Sequence, residues 1–350
     1  MPTKLSRRDF MKLCAGSAAA ISLSGFLGPL MKEAIAAGGP PVIWIQGGSC
    51  SGCSVSLLNT VHPDIEKVLM EVISLRYHQT IMAGQGDQAT EVIFETAQAN
   101  KGNFILVVEG SVPTGANGKY CQIGHRGDHE VTFLEVVEEI GNQAMAILSV
   151  GTCAAFGGIP ATPPNPTDSK PVSDIISKVP IINIPGCPSH PDWVIGTIAH
   201  VLLYNDLPEL DKLGRPKMFY GNLLHDNCQR RQYFDNGIFA DNFGDPGCLL
   251  KIGCKGPIAH CDSTNRMWNN GVNACIQSGA PCIGCTEPQF PGWPIYEKTP
   301  EMPIAPGITA NIDTIGTVIG GATLVGIGGH LAGNVITGRM GSKKKEEGEE

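Results

Sequence analysis

Short runs of β-branched and aliphatic residues recur through the first half of the chain, separated by stretches whose apolar positions repeat at helical spacing. Pro41–Gln46, Val72–Leu75, Phe104–Val108, Met145–Val150 and Ile181–Ile184 are such runs. Each is almost wholly apolar, which predicts strands buried on both faces rather than strands with one wet face. Val131–Ile140 reads as one of the intervening helices. Strands alternating with helices predict an α/β fold built on an open parallel sheet covered on both sides. Beyond Trp193 the pattern fades into helices and loops, and Pro208–Pro216 reads as a connection between domains.

The longest apolar stretch lies near the end of the chain. Thr314–Ile336 carries no charge, and His330 and Asn334 are its strongly polar members. At 1.5 Å per residue its roughly 23 residues cross a hydrocarbon core of about 30 Å, which predicts a transmembrane helix. Gly316, Gly320, Gly329 and Gly333 give small-xxx-small spacings suited to packing on another membrane helix. His330 reads as an interfacial or helix-contacting side chain, with a haem-bearing partner as the alternative. Arg339 and Lys343–Lys345 follow, and the positive-inside rule puts that flank in the cytoplasm and the preceding domain outside. The acidic end, Glu346–Glu350, reads as solvated.

The N-terminus predicts the same orientation. Ser6-Arg7-Arg8-Asp9-Phe10-Met11-Lys12 precedes an apolar run, Leu13–Leu30, and a small-residue site at Ala34-Ile35-Ala36. This is the pattern of a bacterial twin-arginine signal peptide, which predicts a periplasmic protein. That route carries folded chains with cofactors already inserted, so the cysteines meet metal under reducing conditions and a disulfide framework loses ground. Cys14 lies inside the leader. A net charge of −8 leaves no basic stripe to neutralise phosphates, so nucleic acid is excluded as a partner.

Cysteine carries the chemistry. Gly247–Cys285 holds Cys248, Cys254, Cys261, Cys275, Cys282 and Cys285, too dense a set for an ordinary core, and His225-Asp226-Asn227-Cys228 lies just upstream. In the first half, the first predicted strand runs into Cys50 and Cys53, the fourth into Gly151-Thr152-Cys153, and the fifth into Pro185-Gly186-Cys187-Pro188. Parallel sheets place ligands at the carboxyl ends of their strands, so Cys50, Cys53, Cys153 and Cys187 are read as one site. His225, Cys228, Cys248 and Cys254, then Cys261, Cys275, Cys282 and Cys285, make two further groups of four. Zinc and iron–sulfur clusters use the same thiolates, and the spacing Cys282-x-x-Cys285 suits either. Export of a folded cofactor protein to a membrane favours clusters and redox work. Cys121 falls outside the three groups and reads as a packed thiol. Glu109, at the end of the third strand, reads equally as a functional or a helix-capping carboxylate. His125, His129 and Ala161–Pro166 read as loop residues near a partner interface.

These residues match a known family. From leader to anchor the chain resembles the small, electron-transferring subunit of nickel–iron hydrogenases. The resemblance rests on Cys50-x-x-Cys53, Gly151-Thr152-Cys153, Asn183-Ile184-Pro185-Gly186-Cys187-Pro188, His225-x-x-Cys228, Gly253-Cys254-Lys255-Gly256-Pro257 and Pro281-Cys282-Ile283-Gly284-Cys285. It implies a flavodoxin-like N-terminal domain holding a proximal 4Fe–4S cluster on Cys50, Cys53, Cys153 and Cys187. It further implies a distal 4Fe–4S cluster on His225, Cys228, Cys248 and Cys254, and a medial cluster on Cys261, Cys282 and Cys285. The nickel–iron centre would lie in a separate large subunit, so this chain supplies no catalytic residue. Electrons from hydrogen oxidation would leave to a membrane cytochrome b, another quinone-linked acceptor or a cytochrome c, and the implied assembly is a heterodimer that could pair again.

Some positions depart from the family. Many members have proline where Cys275 stands and carry a 3Fe–4S medial cluster; with Cys275 present the expected medial cluster is 4Fe–4S. That feature, with Ser54–Asn59 and Trp268–Gly271, looks most like the nickel–iron–selenium branch. Ser49 stands where a glutamate often precedes the first cysteine. Gly52 and Gly158 stand where oxygen-tolerant members carry extra cysteines, and the spacing from Cys254 to Cys261 is shorter than in the family. The expected divisions are residues 1–37 as signal peptide, 38–207 as flavodoxin-like domain, 208–305 as iron–sulfur domain, 312–337 as anchor and 338–350 as cytoplasmic tail. The competing reading is an iron–sulfur or zinc-bearing module of another membrane respiratory complex.

Overall fold

The computed structural model describes residues 40–61, 63–298, 302–305, 308–310 and 312–337. The signal peptide, Cys14, Arg339, Lys343–Lys345 and the acidic tail lie outside the described residues.

Five parallel strands form the central sheet: β1 (Pro41–Gln46), β2 (Ser74–His78), β3 (Ile105–Glu109), β4 (Ala146–Val150) and β5 (Ile181–Ile184). Their order is β2-β1-β3-β4-β5. Every residue of β1, β3 and β4 is buried, which is why their sequence runs apolar instead of alternating, apart from Gln46, Glu109 and Ser149. Neighbouring positions belong to opposite faces: Val42 and Trp44 join one core, Ile43 and Ile45 the other.

One face is covered by α2 (Gly86–Ala99) and α3 (Phe133–Gly141), after the short α1 (Gly52–Leu58) that follows β1. The α2 helix turns Ala89, Ile93, Phe94 and Ala97 inward, a spacing that keeps one stripe on the sheet. The Thr132 hydroxyl caps α3 by accepting from Glu135 N at 3.1 Å. After the short α4 (Thr152–Phe156), α5 (Pro191–Tyr204) covers the opposite face, with Pro191 at its first turn and His190 Nδ1 accepting from Asp192 N. That face is shared: Met218, Phe219, Tyr220, Leu249, Ile252, Cys261 and Cys282 join the same core cluster as Trp193 and Ile198. The cysteine-rich region is thus built onto the sheet through common packing.

Three expectations need correction. The second strand begins at Ser74 instead of Val72, because Val68–Val72 continues the preceding helix and buries Val68 and Val72 there. The predicted helix at Val131 starts at Phe133, since His129–Thr132 pairs with Gln122–Arg126 as a hairpin. His125 and His129 therefore stand on strands, not in a loop. Arg126 with Glu139, and His129 with Glu135 at 2.9 Å, tie that hairpin to α3.

The final helix, α6 (Ile312–Ile336), is long and apolar enough over Thr317–Ile336 to cross a membrane. Its Val318, Leu324, Val325 and Ile336 are exposed, so none of the described residues covers them.

Candidate metal centres

Three strands deliver the first site to the carboxyl edge of the sheet. Cys53 sits in the first turn of α1, Cys153 in the first turn of α4, and Cys187 two residues past Pro185 at the end of β5. Gly151 makes the turn between β4 and α4 at φ 84°, and a Cβ there would stand 2.6 Å from Cys53 Sγ. Only glycine lets the backbone come this close to the thiol. Cys50, Cys53, Cys153 and Cys187 line one cavity of about 180 Å³. Burial pushes the Cys153 thiol up to about 11, with Cys187 and Cys50 adding to the rise. Burial, then Glu109, holds Cys53 well above the ordinary thiol range. Metal-free, these thiols are protonated, so a cation entering here releases protons as it binds.

Glu109 resolves in favour of capping. It is buried, and Oε1 accepts from the backbone N–H of Cys53 and Ser54 at 3.1 and 3.2 Å. Oε2 accepts from Trp44 Nε1 and Gln46 Nε2, both at 3.1 Å, and from the Ser54 hydroxyl. The carboxylate thus closes the start of α1 and fixes Cys53 from the wall of the same cavity.

The second group gathers near Leu224–Asn227. Cys228, Cys248 and Cys254 lie close enough that each raises the proton affinity of another. A Cβ on Gly256 would be 3.4 Å from Cys254 Sγ and 3.9 Å from His225 Cβ, so histidine and thiol share one neighbourhood. The His225 ring meets Phe234 edge-on at 4.5 Å. Its Nε2 is buried without a hydrogen-bond partner among the described residues. Burial, then Arg231, lowers its pKa and keeps the imidazole neutral, the form that binds metal. An orphaned, neutral ring nitrogen beside a set of thiols fits a metal ligand.

The third group, Cys261, Cys275, Cys282 and Cys285, lines a cavity of about 430 Å³. The short spacing before Cys261 is absorbed by a tight turn at Gly256–Ile258, and Cys261 reaches the common cavity. Burial pushes Cys285 up to about 12, opposed by the N–H of Cys187. Cys187 also lines this cavity, so the first and third groups share a wall. The Cys254 sulfur accepts from Cys282 N at 3.3 Å, which joins the third group to the second.

The donor sets suit thiolate-bound metal. Zinc draws its sulfurs to about 2.3 Å from one point. Among the described residues no three His, Cys, Asp or Glu side chains close on a single ion, while the thiols do surround roomy cavities. Backbone N–H groups aim at the sulfurs: Ser189 at Cys53, Arg230 at Cys228, Gly256 at Cys254, Ser263 at Cys261 and Gly284 at Cys282. Such bonds hold thiolates of a cluster and set its potential. Cys121 packs beside Ile123 and Leu134 against the opposite core, and burial raises its pKa; it lines neither cavity. Gly158, at φ 53°, would place a Cβ 2.9 Å from the Cys153 backbone, so no extra thiol fits there. Sequence reasoning missed Arg215, which stands among other charged residues in a Gly- and Pro-containing connection and gave no signal. It is buried, paired with Asp211 at 2.8 Å and Glu287 at 2.9 Å, and donates to Thr286 O beside Cys285.

A family model described as NADH ubiquinone oxidoreductase, 20 Kd subunit, matches residues 50–201. A second, describing the C-terminal part of the NiFe/NiFeSe hydrogenase small subunit, matches residues 220–295. The periplasmic NiFeSe hydrogenase small subunit of Desulfomicrobium baculatum is 46% identical over 304 residues, 82% of this chain and 96% of its own. The quinone-reactive Ni/Fe-hydrogenase small chain of Wolinella succinogenes is 38% identical, over 93% of this chain and 95% of its own. In structure, a chain of the reduced, active Ni-Fe-Se hydrogenase of Desulfomicrobium baculatum superposes with a TM-score of 0.71 at 46% identity, covering 75% of this chain and 100% of that one.

Proposed function

The chain belongs to the hydrogenase small-subunit family, and from that premise we propose that its three ligand groups form one electron relay ending at a membrane. It is the electron-transfer subunit of an oxidoreductase whose active site lies in the large subunit it pairs with. There hydrogen is split into two protons and two electrons, and this chain takes the electrons away.

The observation that carries the relay is contiguity: Cys187 lines two cavities, and Cys282 donates to Cys254. Bound at these positions, 4Fe–4S clusters would each accept and pass one electron at a time. Cys50, Cys53, Cys153 and Cys187 hold the proximal one. Cys261, Cys275, Cys282 and Cys285 hold the medial one, with Cys275 close enough to Cys285 to raise its pKa. His225, Cys228, Cys248 and Cys254 hold the distal one. The neutral imidazole of His225 replaces one thiolate and lowers the negative charge at the exit.

The large subunit docks on the proximal edge. Cys50 is exposed there, and α1 presents Val55 and Leu58 to solvent beside Val61. A cavity of about 490 Å³ opens between α1 and the segment Arg266–Gly271. The strand order, with one strand inserted before the first, supports a flavodoxin-like N-terminal domain over 38–207. Residues 208–305 make the iron–sulfur region. Export by the twin-arginine route to the periplasmic face, an anchor over 312–337 and a membrane cytochrome b or other quinone-linked acceptor complete the reading. The uncovered apolar helix and the quinone-reactive relative support it.

The test is visible absorption and spin resonance of the intact complex reduced by hydrogen. Three iron–sulfur signals support the relay; a colourless, zinc-bearing chain overturns it.

A further inference from the structure

Between the first and third groups a hydroxyl crosses the gap, beside the Cys187 N–H that faces the Cys285 thiol. Thr152, which directly precedes Cys153, is buried. Its Oγ1 accepts from Gly186 N at 2.9 Å, next in sequence to Cys187, and donates to the carbonyl oxygen of Cys285. Thr152 N in turn donates to Gly186 O at 3.1 Å. The hydroxyl therefore ties two of the three loops of the proximal group, its own and that of Cys187, to one ligand residue of the medial group. The opposite junction is built alike. Cys282 N reaches Cys254 Sγ, and Lys255 N donates to Cys282 O at 2.7 Å. Of the neighbouring bulky side chains at the first junction, Trp193 Nε1 bonds to Asp262, and Tyr220 Oη donates to Pro185 O in the proximal loop.

Electronic coupling decays more slowly along covalent and hydrogen bonds than across van der Waals gaps. We propose that the Thr152 hydroxyl is the bridge through which an electron passes from the proximal to the medial site. One electron leaves the first site and one enters the second; no proton moves and no bond breaks. Thr152 touches no reacting atom and acts by coupling alone. The proposal rests on the ligand groups assigned above.

The experiment compares Thr152→Val, Thr152→Ala and Thr152→Ser in the intact large–small complex. Iron content and the midpoint potential of each site are measured first. Then the magnetic splitting between the reduced proximal and medial signals, and the rate of electron re-equilibration between them after rapid photoreduction, are read. Valine keeps the bulk and loses the bridge. It is expected to keep its iron and potentials while the splitting shrinks and the rate falls severalfold, with serine restoring both. Full iron with unchanged splitting and rate in Thr152→Val overturns the proposal. So does loss of iron from both Val and Ala variants with retention in Ser, since the hydroxyl would then hold the site together and not couple it. Failure of the underlying ligand assignment would look different: Cys153→Ser and Cys285→Ser would leave both signals of the parent complex intact.

Discussion

His225 shows how much a single side chain can disclose. Its spacing to Cys228 marks it as a ligand in sequence, and the structure leaves its buried Nε2 without a partner while keeping the ring neutral. His225→Ala is expected to change the distal signal and cut hydrogen-driven dye reduction roughly tenfold, as loss of a tuned ligand commonly does; unchanged kinetics and spectrum would remove the assignment. Glu109 was only half legible, because a strand-end carboxylate looks the same whether it caps or reacts until its acceptors are seen filled. Arg215 was not legible at all. Its value comes from Asp211 and from Glu287, 72 positions later, which no local pattern reveals. Arg215→Met leaves Glu287 buried beside the medial loop, and should cost about 3–5 kcal/mol in thermal or denaturant unfolding. His78 adds a pH term. Burial lowers its pKa from 6.5 to about 4, so the unfolded chain binds the extra proton between those values. Stability is then present above pH 6.5 and lost as pH falls toward 4, by about 3 kcal/mol at the limit. His78→Gln should flatten that acid slope; an unchanged slope would assign the acid lability elsewhere.

At the level of elements, the central strands were readable because burial on both faces forces continuous apolar runs, and β1, β3, β4 and β5 lie where those runs lie. The second strand slipped because Val68–Val72 is as apolar as a strand yet helical, a choice made by packing and not by composition. The hairpin at Gln122–Thr132 escaped because its exposed residues are polar and it packs on both α2 and α3, with Arg126 over Phe94 and paired with Glu139. The strand-to-helix turns are the elements on which the site depends. Gly151→Ala would push a methyl into Cys53 Sγ at a φ of 84°. Iron is expected to fall by the proximal share alone, with the medial and distal signals retained; full iron in that variant would mean the turn has slack that the geometry does not allow. The last helix carries its own prediction. Removing residues 312–350 should release the complex from membranes into the soluble fraction while dye reduction persists, and retention on membranes would relocate the anchor.

Over the whole molecule, three candidate ligand groups adjoin, the first beside the third and the third beside the second, because two folding solutions meet. A parallel sheet brings three distant cysteine loops to one edge, and a loop-rich region with almost no regular structure packs the other eight ligands onto the same core through α5. The sequence singles out the candidate ligands, since cysteine at such density has few other uses. It could not disclose which groups adjoin, because Cys187 lining two cavities and Cys282 bonding to Cys254 are properties of the folded chain. The proposed result is a conductor for a catalyst held in the large subunit, with the partner at the Cys50 edge and the acceptor at the His225 end as that proposal has it. Metal analysis of the intact hydrogenase, counted per small subunit after subtracting the large subunit's own metals, tests this most directly. About twelve irons, four for each group of four ligands, are predicted; a count far below that, or zinc in place of iron, would contradict the account.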